Sequence, residues 1–450
     1  MVTKSIPTVK SERVDQREGL PLLRWHHMVL LLIAISTSAT GQRFDTLGLG
    51  WSKTSINTVI FRKNSITSYK DLQYASYYDT AGFVVLAMKR KDEAWQMVRT
   101  DLVGNVADAH NTISIMVDGK GYLHMAWDHH NTKLNYVRSK WPGSLELTEP
   151  MEMTGEDENS VTYPEFYRMP DGDLIFLYRD GESGNGNLIM NRYDVKSKTW
   201  RRVQSNLIDG QKERNAYWQA YVSTRGTIHL SWVWRETPDV ASNHDICYAR
   251  SRDGGVTWEK TTGQRYRLPI TAKSAEYAIR IPQGSDLINQ TSMSATDDDY
   301  PAIVTYWKDS TEFGPQIKFG FHYQGKWQWS RVSRRAQGFS LKGGGTKSIP
   351  ISRPQVLIWG KARRMKGMVI GRDNALRTPF EMYYYEPSGW KPMTLARLRP
   401  NSPSAWEPTY DVEQFKRTGK ISIFLQDVGQ GDGETLADTK PTPVVIMTLD

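Results

Sequence analysis

The chain has 450 residues, 58 Lys and Arg against 49 Asp and Glu, a formal charge of +9 and a single cysteine. With 24% charged and 39% hydrophobic residues it is neither disordered nor collagenous, and it is long enough to bury a large core. One cysteine excludes a disulfide framework and any cysteine-rich zinc or iron–sulfur centre, while the positive balance points to an anionic partner.

Residues 1–28 are polar and carry Lys4, Lys10, Arg13, Arg17 and Arg24. The apolar run Val29–Ile35 follows, then the small residues of Ser36–Gly41. Basic, apolar and small in that order predicts a secretory signal over 1–41, with 42–450 as a single catalytic domain, secreted or periplasmic. The apolar run is too short to span a bilayer, so no membrane partner is expected. The bland alternative for this run is a buried strand, and Met28 is an alternative start.

Beyond residue 42 no long amphipathic helical pattern occurs. Short β-branched and aromatic runs alternate instead with Asp-Gly, Gly-Gly and Asn-Gly turns, the mark of hairpins. A unit of turn, strand, polar loop and second strand recurs at Tyr77–Asp101, Asp118–Lys140, Pro170–Trp200, Thr224–Trp258, Thr296–Trp327, Leu357–Trp390 and Asp411–Asp450. Seven units predict an all-β chain folded as a seven-bladed β-propeller. A long β-sandwich is the alternative, and the similarity of the units argues against it. The stretch Ser251-Arg-Asp-Gly-Gly-Val-Thr-Trp258 is a complete Asp box. In it Asp253 caps a turn and Trp258 packs inward, a structural device that says little about chemistry.

Four of the nine histidines fall between His110 and His130. His124 and His229 alternate with apolar strand residues and read as structural. His110, His129 and His130 stand at strand ends, where propellers gather function. In the third unit, Val161-Thr-Tyr163-Pro-Glu-Phe-Tyr-Arg168 leads to a strand ending in Arg179, and a glycine-rich loop holding Asn187 follows. An arginine closing an apolar strand is poorly explained by packing and offers a planar fork to a carboxylate. Ion pairing of Arg179 with Asp180, or of Arg235 with Glu236, is the structural alternative. The fourth unit repeats the arrangement with Arg214, Asn215, Tyr217 and Tyr221 before a strand that ends in Arg235.

These stretches, with His110-Asn-Thr-Ile, Leu177-Tyr-Arg-Asp-Gly and Ser231-Trp-Val-Trp-Arg-Glu, resemble the BNR-repeat propellers that include ulvan lyases and rhamnosyl-glucuronate lyases. The resemblance implies β-elimination on a 4-linked uronate glycan, with His110, His130, Tyr163 and Arg179 as catalytic residues. His129, Asn187, Arg214, Asn215, Tyr217, Tyr221 and Arg235 are the expected substrate contacts. Some members hold a structural zinc through His and Cys. Here only Cys247 stands near His244, so no cofactor is expected and no metal site is assignable. The chemistry asks for these residue types: a cation to stabilise charge on the uronate carboxylate, a base for the C5 proton and an acid for the leaving O4. Whether His110 or Tyr163 is base or acid stays open. An anionic, sulfated, rhamnose-rich polysaccharide is the expected partner; a monomer is expected, and the dispersed Lys and Arg argue against nucleic acid. Two other classes remain: a sialidase-like glycoside hydrolase, for which no convincing arginine triad is legible, and a non-catalytic carbohydrate-binding propeller.

Overall fold

The computed structural model describes residues 42–60, 64–376, 380–386, 389–393 and 406–449. The expected export signal over 1–41 lies outside these residues. Among them, no helix is long and apolar enough to cross a membrane.

Antiparallel sheets recur seven times, over 66–103, 113–138, 161–204, 215–279, 292–331, 355–393 and 409–449, and are numbered here as blades one to seven. They stand in a ring as a seven-bladed β-propeller. The innermost strands of blades one to six touch in succession. The seventh blade is completed by the strand Gln42–Gly50, which pairs with Thr442–Leu449 in a register running from Gln42 opposite Leu449 to Gly50 opposite Thr442. Joining an early strand to a late one within a single blade ties the two ends of the described chain together and closes the ring. The repeat count read from the turns was right. The closing strand was not seen, because Gln42–Gly50 lacks the Trp or Asp-Gly punctuation of the other units.

Apolar cores lie between neighbouring sheets. Between blades three and four, Ile175, Leu177 and Met190 pack with Trp218, Leu230, Trp232 and Trp234. Blades six and seven meet through Leu357, Ile370, Ile423 and Met447. Strand side chains alternate between faces, so each blade offers apolar residues to both neighbours and its inner strand is almost entirely buried. The Asp box behaves as expected: Asp253 accepts from the Thr257 backbone N–H at 2.9 Å, and the Trp258 indole N–H donates to the Gly255 carbonyl at 3.0 Å. Gly255 has φ +93°, and a Cβ there would fall 2.4 Å from the Met190 sulfur. His124 and His229 are structural in the same way in blades two and four. Each is buried between a tyrosine hydroxyl (Tyr136, Tyr248) at 2.7 Å and a carboxylate (Asp118 at 3.3 Å, Asp299 at 3.1 Å).

The axis of the ring is polar. The Gln219 amide donates to Glu165 at 2.9 Å, and Gln73 donates to Asp411 at 2.9 Å. One end is closed by the helix Val412–Thr418, whose Glu413 pairs with Arg168 at 2.6 Å. The functional candidates gather at the opposite end of the inner strands.

Candidate active site

Two strands aim tyrosines at the axis. In Val161–Arg168 a bulge falls between Thr162 and Glu165, and Tyr163 within it has φ +57°. A bulky residue in the left-handed region costs on the order of 1–2 kcal/mol, and Pro164 after it removes a ladder donor. The bulge turns the phenol out of the ladder and into the cavity. Tyr217 holds the equivalent third position of Asn215–Val222 without a bulge. The ring centroids of Tyr163 and Tyr217 lie 6.2 Å apart.

Each tyrosine carries a guanidinium. Arg179, near the end of Leu174–Asp180, sets its guanidinium carbon 5.0 Å from the Tyr163 ring centre and donates Nε–H to the Gly181 carbonyl at 3.2 Å. The loop behind it passes so close that a Cβ on Gly186 would lie 2.5 Å from the Arg179 side chain, so only glycine fits there. Neither alternative ion pair, Arg179 with Asp180 or Arg235 with Glu236, occurs among the described residues: Glu236 accepts from Arg214 at 2.8 Å and lies 2.7 Å from His244, leaving Arg235 beside Tyr217.

The histidines come from blade two. His110 sits in a turn whose backbone N–H donates to Asp108 at 2.9 Å, the turn geometry that Asp favours. His130 opens the short strand His130–Thr132, which leaves its own blade and pairs with Val161 and Thr162 of blade three. The two imidazoles stack at 4.1 Å, and His110 is 5.9 Å from the Tyr163 ring. Asp108 lies between them: its Oδ1 is 2.7 Å from His110 Nδ1 and its Oδ2 is 2.6 Å from His130 Nδ1. Burial alone would raise the Asp108 carboxyl, yet the hydrogen bonds from His110 and His130 hold it far below the usual carboxylate range. An ionised carboxylate only accepts, so both rings donate Nδ1–H to it, and a neutral ring is left with its lone pair on Nε2.

Together His110, His130, Tyr163, Arg179, Tyr217 and Arg235 line one cavity of about 170 Å³. Ser183, Asn289, Thr346, Lys347 and Arg353 complete its polar wall, and no carboxylate is among the lining residues. Arg353 reaches it from the start of blade six, held by both Glu407 oxygens at 3.0 and 2.9 Å. Burial, with Tyr217 beside it, pushes the Tyr163 phenol up against the pull of Arg179, Arg235 and Arg353, so it keeps its proton. Burial acts the same way on Tyr217, but there Arg235 and Arg179 prevail and hold the phenol below its ordinary value.

Other candidates stand elsewhere. His129 is fully buried against Thr132 and Asn135, and burial pushes its pKa down to about 4. Asn215 is a support, donating to Ser183 at 3.2 Å. Asn187 and Arg214 line a separate polar groove with Asn185, Asn206 and Lys212. Tyr221 is four residues along the strand from Tyr217, roughly 13 Å at strand rise, and lines an apolar cavity with Trp359 and Phe415. Asp108, Ser183, Lys347 and Arg353 were not foreseen from the sequence; only the Asp-x-His spacing at 108–110 carried any signal.

Stretches of the chain are similar to curated enzymes. Over 161 residues it is 28% identical to the short isoform of ulvan lyase from Alteromonas sp. (strain LOR), covering 32% of this chain and 29% of that protein. Over 240 residues it is 24% identical to a long isoform of ulvan lyase from Alteromonas sp., covering 42% of this chain and 24% of the relative. The chain thus spans less than a third of the length of these relatives. Among solved structures, the polysaccharide lyase Uly1 superposes with a TM-score of 0.64 at 14% identity, covering 87% of this chain and 90% of that one. An ulvan lyase of family PL25 bound to -[GlcA(1-4)Rha3S]- gives 0.62 at 12% identity, covering 90% and 97%. These likenesses show a shared propeller. A family model described as BNR repeat-containing family member matches residues 72–335, more than half of the sequence, and the chain belongs to that family.

Proposed function

We propose that this chain is a polysaccharide lyase that cleaves a 4-linked, uronate-bearing, ulvan-like glycan by β-elimination. The observation that carries the reading is the cavity itself, where Arg179, Tyr163 and His110 meet without a carboxylate among the lining side chains. The partial identity to ulvan lyases supports the same class.

In this reading Arg179 and Arg235, two buried guanidiniums lining the site, receive the uronate carboxylate. They stabilise the enolate-like charge that grows as C5 loses its proton. His110 takes that proton on Nε2, the nitrogen left unprotonated by Asp108. Tyr163, which burial keeps protonated, gives its proton to O4 as the C4–O4 bond breaks, and a 4,5-unsaturated uronate end remains. One observation favours a second assignment of the base. Tyr217, the phenol held below its ordinary value between Arg235 and Arg179, has the electrostatics of a proton acceptor.

A sialidase-like hydrolysis fits less well. Three arginines do line the cavity (Arg179, Arg235, Arg353), contrary to the sequence reading. However, a sialidase-like site pairs its tyrosine nucleophile with a Glu, and no carboxylate lines this cavity. Incubation with ulvan tests the proposal. The ultraviolet absorbance of an unsaturated uronate is expected, whereas new reducing ends without absorbance would mean hydrolysis. Retention of the polymer without cleavage would mean a binding propeller. Export of the chain and an anionic polysaccharide partner belong to the same proposal.

A further inference from the structure

The geometry points to a binding site for a borderline divalent metal ion of the zinc type, formed by Asp108, His110 and His130, at which the ion acts as an inhibitor. Among the described residues these three form the group whose ligand atoms all lie within 4.8 Å of one another. Two imidazole nitrogens and one carboxylate are the donor set that zinc, nickel or copper prefers over calcium or magnesium. A fourth oxygen is in reach, because Glu434 Oε1 stands 3.4 Å from His110 Nδ1.

The cluster needs little movement to receive an ion. Tetrahedral ligands at about 2.0–2.2 Å from zinc stand about 3.4 Å apart. The Asp108 oxygens are 2.7 and 2.6 Å from the two Nδ1 atoms, so the ligands must separate by somewhat under an ångström and the rings must turn out of their stack. His130 can supply that turn: its side chain is 38% exposed, whereas Asp108 and His110 are held by the turn beneath them. The ion would be anchored on two fixed ligands and closed over by a third from solvent.

Occupancy reverses the hydrogen-bonding role of the cavity face. With Asp108 as partner, each neutral ring carries its proton on Nδ1 and its lone pair on Nε2. A metal on Nδ1 moves that proton to Nε2, so the ring offers a donor where the acceptor was. The inhibition rests on the lyase reading with His110 as base; the binding does not.

Isothermal calorimetry on the full chain, freed of metal with a chelator and titrated with zinc chloride, tests the site. One equivalent is expected to bind, with Asp108→Asn and His130→Ala each weakening it by at least about tenfold. The circular dichroism of each variant should match the parent. Magnesium and calcium should give no heat. No zinc binding up to millimolar concentration, or unchanged affinity in both variants, would overturn the inference. A chain that binds zinc through these residues but yields no unsaturated product from ulvan would remove the lyase reading and leave the metal site. A lyase that binds no zinc would do the reverse.

Discussion

Arg179 and Arg235 are the same structural solution used twice, in consecutive blades. Each stands at the end of the second strand, and each donates Nε–H to a carbonyl two residues ahead, Gly181 at 3.2 Å and Thr237 at 3.1 Å. Each lies over a tyrosine from the third position of the preceding strand, at 5.0 and 5.3 Å. The repeat that builds the ring has thus also duplicated a cation–phenol pair, and the cavity lies between the copies.

The cation–phenol pair predicts poor tolerance of Arg179 to charge-conserving change. Arg179→Lys keeps the charge but loses the planar fork and the backbone tether, so kcat on ulvan should fall by roughly 10²–10³. Steady-state ultraviolet absorbance reads the change. A rate within a factor of two of the parent would mean that Arg179 does not hold the carboxylate.

The two phenols can be separated by removing one oxygen at a time. Tyr163→Phe should lower kcat by about 10²–10⁴ with unchanged circular dichroism, as expected for loss of a general acid. Tyr217→Phe should cost less if His110 is the base. If it costs as much, and His110→Ala costs little, the base is Tyr217.

Asp108 acts through the histidines. In Asp108→Asn the amide can accept from only one ring, so one imidazole loses its fixed tautomer. The expected result is a kcat lower by about 10² or more with KM little changed, and an altered pH–rate profile. A KM effect with kcat intact would place Asp108 in substrate binding instead.

Ring closure has its own pH signature. Burial alone would raise Asp45, on the closing strand Gln42–Gly50, but hydrogen bonds from Arg43, Lys89 and Trp95 bring its pKa down to about 2. Its folded value is below the unfolded one, near 3.9, so the stability it contributes is present above about pH 4 and lost as pH falls toward 2. Asp45→Asn should therefore unfold at lower urea than the parent at pH 7, and the gap should shrink between pH 4 and pH 2. A gap that is constant with pH would contradict the assignment.

The Asp box should affect the fold and not the chemistry. Trp258 is 1% exposed, and Trp258→Ala should cost about 3–5 kcal/mol of stability while kcat per folded molecule stays at the parental value. Denaturant titration combined with the absorbance assay tests both halves.

Much of this was legible in the sequence, and the exceptions share a cause. Period-two alternation and turn residues are local signals, so seven sheets and the structural roles of His124, His229 and Trp258 could be read directly. Arg179 stood out because an arginine closing an apolar strand violates a local rule, whereas Tyr163 was implied by the family resemblance. Arg353 and Lys347 were missed because they reach the cavity from blade six, and only the ring brings them there. His129 and His130 are neighbours in sequence, and it is the pairing of His130 with Thr162 in another blade that turns one inward and the other to the cavity. Tyr217 and Tyr221 share a strand face; which of them meets the site depends on which end of the axis the helix Val412–Thr418 blocks. Asp108 went unmarked because an aspartate two residues before a histidine is an ordinary turn former, and it is one, with its two oxygens shared between a turn and two imidazoles.

The pairing of Gln42–Gly50 with Thr442–Leu449 also sets when the ring can close. The first of these strands leaves the ribosome and waits while residues 51–441 are made, its hydrogen-bonding edge unclaimed. The cavity draws on residues of blades two, three and four and on the segment that leads into blade six, so no single blade holds it.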